Sequence, residues 1–290
     1  MNQPKTTQQD FAVDICSQAL TQVRTKAPLV QCITNFVTVN DCANILLAVG
    51  GSPTMCQDVR EAPEAVSAAS ALVLNMGAID MVDSMVATGK AANGAKIPVV
   101  LDPVAVGGTA LRRDTGTILL EQVAFTVIRG NGSEIRYLAG QASQASGVDV
   151  GTGDAVTREN LMVSMEMAKN LAVQIGGVIA VSGVMDIVTD GQRCAVVHNG
   201  CATMARITGS GCMLTTLIGA FCGAMPDDAF TATVAAMVSM GVAGELAEAK
   251  RLEQGTGNAT FRTDLIDAIF NLTPAQLEKG MRCEIYKTTD

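Results

Sequence analysis

The sequence predicts a single-domain α/β fold, with a mainly parallel β-sheet flanked by helices on both faces. Four short apolar runs end in polar or glycine-containing turns, segments of helical periodicity separate them, and 48% of the 290 residues are hydrophobic against 17% charged. Runs of Val, Ile and Leu bounded in this way belong to strands covered on both faces. Strand–helix alternation makes the sheet parallel, because each crossover returns the chain through a helix.

The runs cover residues 71–77, 98–103, 125–131 and 178–183, and the helical segments cover 62–71, 81–95, 157–175 and 226–252. Residues 186–191 and 193–200 read as an antiparallel hairpin joined at Asp190-Gly191. The Gly/Ser-rich piece 141–153 reads as a surface loop, and about ten N-terminal residues and the last few C-terminal ones as loosely ordered. No repeat, low-complexity tract or linker divides the chain, so 1–290 is expected to be one domain.

A net charge of −8 argues against nucleic acid as a partner, because no basic stripe is available for phosphates. The one close basic pair, Arg112-Arg113, reads as a solvated loop. Nine cysteines, none in a Cys-x-x-Cys pair, and a polar start without a secretory pattern predict reduced, mostly buried thiols in a cytoplasmic protein. With one histidine, a zinc site would need several distant thiolates, so none is expected. Residues 207–226 and 229–244 carry no charge, but they are rich in Gly, Ala, Ser and Thr. They read as buried helices rather than as a membrane hairpin.

The most informative stretch is Ile207-Thr208-Gly209-Ser210-Gly211-Cys212, a glycine turn that feeds an apolar helix with a thiol at its mouth. Glycines leave backbone amides uncovered, and the first helical turn has N–H groups without intrahelical partners and a partial positive charge. Gly209, Ser210 and Gly211 therefore form a candidate anion hole for a transferring phosphoryl group. A helix that merely starts after a flexible turn is the plainer alternative. Ligands of open parallel sheets sit beyond the carboxyl ends of the strands. Asn75, Asp102, Arg129, Asn131, Glu134 and Ser182 lie at or just after such ends, so they are expected to converge with this turn.

Asn131 and Glu134 share one face of a helix start, either beside the water shell of a magnesium ion or as N-terminal caps. Asp102 is either a second acid near that ion or a turn former. Arg129 at a buried strand end is suited to a bidentate phosphate contact or to an ion pair. His198, before Asn199-Gly200, reads as surface chemistry without a catalytic role. Walker and dinucleotide glycine signatures are absent, as is a nucleophile elbow with matching His and Asp.

Several segments in this order resemble the hydroxyethylthiazole kinases of the ribokinase-like superfamily. They are Pro28-Leu29-Val30-Gln31-Cys32-Ile33-Thr34-Asn35, Leu46-Leu47-Ala48-Val49-Gly50-Gly51-Ser52-Pro53-Thr54-Met55, Leu101-Asp102-Pro103-Val104-Ala105-Val106-Gly107, Ile128-Arg129-Gly130-Asn131-Gly132-Ser133-Glu134-Ile135, Val181-Ser182-Gly183-Val184-Met185-Asp186 and Thr208-Gly209-Ser210-Gly211-Cys212. The likeness runs from about residue 27 to about residue 272. It implies phosphorylation of 4-methyl-5-(2-hydroxyethyl)thiazole by ATP with Mg2+, a salvage step towards thiamine.

By the same resemblance, Met55 and Gly209 bind the thiazole alcohol, Arg129 and Ser182 bind ATP, and Asp102 and Glu134 sit near the metal. A homotrimer with sites between subunits is also implied. Cys212 stands where many sugar kinases have Asp, and the resemblance gives it the task of orienting or deprotonating the hydroxyl. A thiol at a helix N-terminus is expected to have a lowered pKa. Ser182 and Ser210 are often Thr in the family, and 255–261 matches only loosely. Rival readings are a related kinase acting on hydroxymethylpyrimidine or a hydrated nicotinamide nucleotide, a non-catalytic binding protein on a kinase fold, and a cysteine-nucleophile hydrolase.

Overall fold

A computed structural model describes residues 8–140 and 156–287. The chain opens with α1 (Gln8–Lys26), β1 (Leu29–Ile33), α2 (Val39–Val49), β2 (Ser52–Thr54), α3 (Ala62–Ala65), β3 (Ala71–Asn75) and α4 (Val82–Gly94). Next come β4 (Val99–Asp102), α5 (Ala110–Gln122), β5 (Val127–Asn131), α6 (Gly132–Leu138) and α7 (Leu161–Ile175). The hairpin region contributes β6 (Val178–Ser182), β7 (Asp186–Thr189) and β8 (Arg193–Val197). Four helices, α8 (Ser210–Ala224), α9 (Ala229–Gln254), α10 (Asn258–Asn271) and α11 (Pro274–Gly280), precede the closing strand β9 (Cys283–Lys287).

The nine strands among the described residues form one sheet in the order β2-β1-β3-β4-β5-β6-β7-β8-β9. The first six pair in parallel, and β6 to β9 continue as an antiparallel meander. The expected mainly parallel sheet with helices on both faces is thus present. Successive strand side chains alternate between the faces, because the pleat has a period of two. Val30, Cys32, Ala71, Val73, Val100, Val127, Val178 and Ala180 join one core, with α1, α2 and α8 to α11. Ile33, Leu72, Leu74, Val99, Leu101, Ile128, Ile179 and Val181 join the other, with α3 to α7. Both faces being dry explains why these strands read as unbroken apolar runs.

The helix α8 lies directly on the first face. Gly211, Thr215, Gly219 and Gly223 recur every four residues along it, the spacing that keeps side chains on one helical face. A Cβ on Gly219 would lie 2.5 Å from Val73 Cγ2 and 3.2 Å from Val30 Cγ1, and one on Gly223 would lie 3.0 Å from Ser70 Cβ. The small-residue stripe lets the helix axis approach the strands closely. Among the described residues α9 is long and apolar enough to cross a membrane, yet 83% of its most apolar stretch is buried, packed against α1, α8 and α10. Both uncharged segments are therefore core helices, as expected.

Several expectations are corrected. The helix expected at 62–71 is only α3 followed by one 3-10 turn at Val66–Ala68, because Ala69 must be extended to lead into β3. Residues 8–10 already belong to α1, while 1–7 and 288–290 and the loop expected at 141–153 lie outside the described residues. Arg112 is not in a solvated loop. It lies in the first turn of α5 and donates to the carbonyls of Met76 (3.0 Å) and Val104 (2.8 Å), tying the ends of β3 and β4 to that helix.

An exposed helical Gly→Ala change stabilises by roughly 1 kcal/mol. At Gly219 the sign reverses. The added methyl must displace Val73 or lift α8, so Gly219→Ala is expected to destabilise by about 1–3 kcal/mol in urea unfolding.

Candidate active site

The alternation of the strands decides which polar side chains meet. Asn75, Asp102, Arg129 and Ser182 share the parity of Val73, Val100, Val127 and Ala180, so all four project towards α8. Asn75, Asp102 and Ser182 are the last residues of β3, β4 and β6, and Arg129 lies two residues before the end of β5, which runs parallel between β4 and β6. Asn75 is in register with Asp102, and Asn131 with Ser182. Convergence at one sheet edge, expected from the strand list, is present.

These groups meet the first turns of α8. Thr215 Oγ1 donates to Asp102 Oδ2 (2.9 Å), and Asn75 Nδ2 donates to the same oxygen (3.0 Å). Asn75 Nδ2 also approaches Cys212 Sγ (3.3 Å), as does Asn35 Nδ2 (3.5 Å). Arg129 Nη1 stands 3.8 Å from Asp102 Oδ2, and Nη2 donates to Ser182 Oγ. Cys212 thus sits between two amides and within the field of a buried carboxylate.

The mouth of α8 has no side-chain cap. Gly209, at the N-cap, has φ +88°, a left-handed conformation that favours glycine, and a Cβ there would lie 2.7 Å from Thr38 Cγ2. A Cβ on Gly211 would lie 2.6 Å from Arg129 Nη1, so the guanidinium rests against the exposed backbone of this turn. Arg129 is buried, and its Nε has no hydrogen-bond partner among the described residues. An uncapped helix N-terminus beside an incompletely satisfied guanidinium is a receptacle for a multiply charged anion.

Of the two readings open for Asn131 and Glu134, the capping box is built. Asn131 Oδ1 accepts from Glu134 N (2.9 Å), and Glu134 Oε2 accepts from Asn131 N (2.8 Å). Glu134 Oε1 accepts from the N–H of Ala105, whose φ of +56° is unusual for a residue with a Cβ. Burial, and then the charge of Asp102, push Glu134 up to about 7. Asp102 is also raised by burial, against the opposing pull of Arg129, Thr215 and Asn75. Burial likewise pushes Asp186, at the start of β7, up to about 7. Two acids that each resist ionisation suit a divalent cation of the kind that takes one or two carboxylates and keeps its waters. No group of three or more His, Cys, Asp and Glu converges among the described residues.

One electrostatic expectation is reversed. Burial first, and Asp102 second, push Cys212 up to about 11, so the helix mouth does not lower this thiol as expected. Desolvation of a half-buried sulfur next to a carboxylate disfavours the thiolate. Met55 directly follows edge strand β2 and packs half-buried against the core that also holds α8. His198 stands beside Glu284 at the β8–β9 edge, remote in strand order from the site. In the segment 255–261, Gly255 ends α9 in a left-handed C-cap and Phe261 is fully buried in α10.

Sequence reasoning assigned no role to Asn35, Thr38 or Thr215. Asn35 follows the apolar run of β1 by two residues, the same strand-end signal that marked Asn75. Thr215 is found only by counting four residues from Gly211 along α8.

A family model described as the hydroxyethylthiazole kinase family matches residues 20–275. The hydroxyethylthiazole kinase of Clostridium beijerinckii is 47% identical over 262 residues, which cover 90% of this chain and 93% of that protein. The hydroxyethylthiazole kinase of Thermoanaerobacter pseudethanolicus is 47% identical over 265 residues, covering 90% and 96%. The solved hydroxyethylthiazole kinase of Pyrococcus horikoshii OT3 superposes with a TM-score of 0.82 at 31% identity, covering 94% of this chain and all of that one. An ADP complex of Bacillus subtilis pyridoxal kinase, at 17% identity and a TM-score of 0.56 over 74% and 90% of the two chains, shares the fold.

The raised Glu134 has a measurable consequence. Its carboxyl titrates near 4.5 when unfolded and near 7 when folded, so the folded state holds the extra proton between these values. Stability present below pH 4.5 is therefore lost as the pH rises towards 7. Urea unfolding without divalent cations at pH 5 and pH 7 is expected to show a shallower loss in Glu134→Gln, by about 1–3 kcal/mol.

Proposed function

The chain belongs to the hydroxyethylthiazole kinase family, and from that premise we propose that it transfers the γ-phosphoryl group of ATP to the hydroxyl of 4-methyl-5-(2-hydroxyethyl)thiazole, a salvage step towards thiamine. One observation carries the reading at this site. The uncapped mouth of α8, the buried guanidinium of Arg129 and the sulfur of Cys212 meet at the carboxyl ends of the parallel strands.

Phosphoryl transfer is governed by positioning and by stabilisation of charge on the phosphoryl oxygens. The amides of Ser210, Gly211 and Cys212 face that charge as an anion hole completed by Gly209. Arg129, held by Ser182, binds the nucleotide phosphates through its N–H groups. Cys212 orients the substrate hydroxyl through a hydrogen bond from its S–H. Its raised pKa supports this orienting role over that of a standing thiolate. Met55 and Gly209 contact the thiazole alcohol. Magnesium, when bound, would be held near Asp102 and Glu134, partly through water, and would supply neutralising charge to the phosphates.

We extend the proposal to a homotrimer with substrate sites between subunits. Phe36 is 89% exposed, and Val37 (57%) and Leu47 (56%) are exposed near it in sequence. Phe36 and Val37 directly follow Asn35, which touches Cys212. Apolar side chains so exposed beside a site are suited to cover by another copy. Nine unpaired thiols accord with a cytoplasmic setting, and one domain spanning the whole chain accords with the continuous sheet.

ADP release measured with the thiazole alcohol and with rival alcohols tests the activity. Turnover with hydroxymethylpyrimidine but not the thiazole would overturn the substrate. Cys212→Ala is expected to lose most turnover and Cys212→Asp to retain it, as read from kcat. Arg129→Ala is expected to raise the KM for ATP by about tenfold while leaving that for the alcohol within about twofold.

A further inference from the structure

Two asparagines outside the roles above share the Cys212 sulfur. Both are buried, Asn35 in the turn after β1 and Asn75 at the end of β3. Their amide orientations follow from the backbone groups around them. Asn35 Oδ1 accepts from Val37 N (3.1 Å), Thr38 N (3.1 Å) and Thr38 Oγ1 (3.2 Å). Its Nδ2 must then face the other way, towards Asn75 Oδ1 (3.1 Å) and Cys212 Sγ (3.5 Å). Asn75 Oδ1 accepts from Gly77 N (2.8 Å) as well as from Asn35, so its Nδ2 faces Asp102 Oδ2 (3.0 Å) and Cys212 Sγ (3.3 Å). Rotating either amide by half a turn would set N–H against N–H at Val37 or Gly77, so each orientation is determined.

We propose that Asn35 and Asn75 form a directional amide clamp that positions the Cys212 sulfur for the substrate hydroxyl. The clamp rests on the reading of Cys212 given above and adds the residues through which that thiol acts. Two N–H donors engage the two lone pairs of the thiol sulfur, so its S–H is the group left to point at the substrate hydroxyl. A side chain with one rotatable bond to sulfur would otherwise explore several rotamers at the helix mouth. Asn75 donates to Asp102 and Cys212 at once, so it also holds the thiol and the carboxylate at a set separation. The first asparagine is anchored by the turn that leads into α2, and the second by the turn after β3. Neither depends on the substrate for its placement. Both are positioning residues, since they reach the reaction through Cys212.

A double-mutant cycle separates this role from a merely structural one. Asn75→Ala is expected to lower kcat about tenfold, with the KM values for ATP and the thiazole alcohol within about twofold of the parent. Asn35→Ala is expected to act in the same direction. In the Cys212→Ala background, Asn75→Ala should change kcat by less than twofold, because the group it positions is gone.

Should Asn75→Ala fail to fold in urea unfolding, Asn35→Asp carries the test. It keeps the acceptor for Val37 and Thr38, removes the donor to sulfur, and is expected to lose kcat in the same Cys212-dependent way. Equal fold losses with and without Cys212, or an effect confined to KM, would overturn the clamp while leaving Cys212 in place. Full turnover in Cys212→Ala alone would instead overturn the reading of Cys212, and the clamp with it.

Discussion

The closeness of α8 to the sheet is the constraint on which the site depends. A helix with ordinary side chains on its inner face would stand off the strands, and its first turn would clear Arg129 and Asp102. The stripe of Gly211, Thr215, Gly219 and Gly223 removes that stand-off. Along the stripe the helix passes Arg129, Asp102, Val73 with Val30, and finally Ser70. One residue of the stripe is polar, and it is the one that meets a carboxylate. Packing and chemistry are therefore settled by the same face of the same helix.

Charge at the site is deliberately unbalanced. One buried guanidinium stands among Asp102, Glu134 and Asp186, all raised above their ordinary values by burial. The ion pair with Asp102, at 3.8 Å, is long, and Arg129 Nε has no partner among the described residues. Pairs held in this way are costly to bury and leave attraction to spare for incoming ions. Nucleotide phosphates and a divalent cation are the complementary charges. Burial, and then the charge of Asp102, keep Cys212 a thiol, which places the weight of the chemistry on orientation rather than on a resident base.

Much of this was legible in the chain. The runs that became β3, β4, β5 and β6 were visible because both of their faces are dry, and the strand-end rule then gathered Asn75, Asp102, Arg129, Glu134 and Ser182. Strands β1, β2 and β9 carried weaker signals. Gln31 interrupts β1, and it is buried by hydrogen bonds to the carbonyls of Cys56 and Ala62 rather than by apolar contact. β2 has three residues with Pro53 at its centre, which only an edge strand tolerates. The capping box at Asn131 and Glu134 was readable as local spacing, whereas the second anchor of Glu134 on Ala105 joins positions 29 residues apart.

Local sequence determined the elements, the glycine turn before α8 and the parity that sends four polar strand ends to a common face, because each depends on spacing within a few residues. Tertiary structure decided which helix covers that face, how near it comes, and whether Cys212 is eased or hindered in losing its proton. The dipole of α8 is a property of one segment and favours the thiolate. Burial in the assembled core and the field of Asp102, more than a hundred residues away in the chain, act in the other direction and raise the thiol.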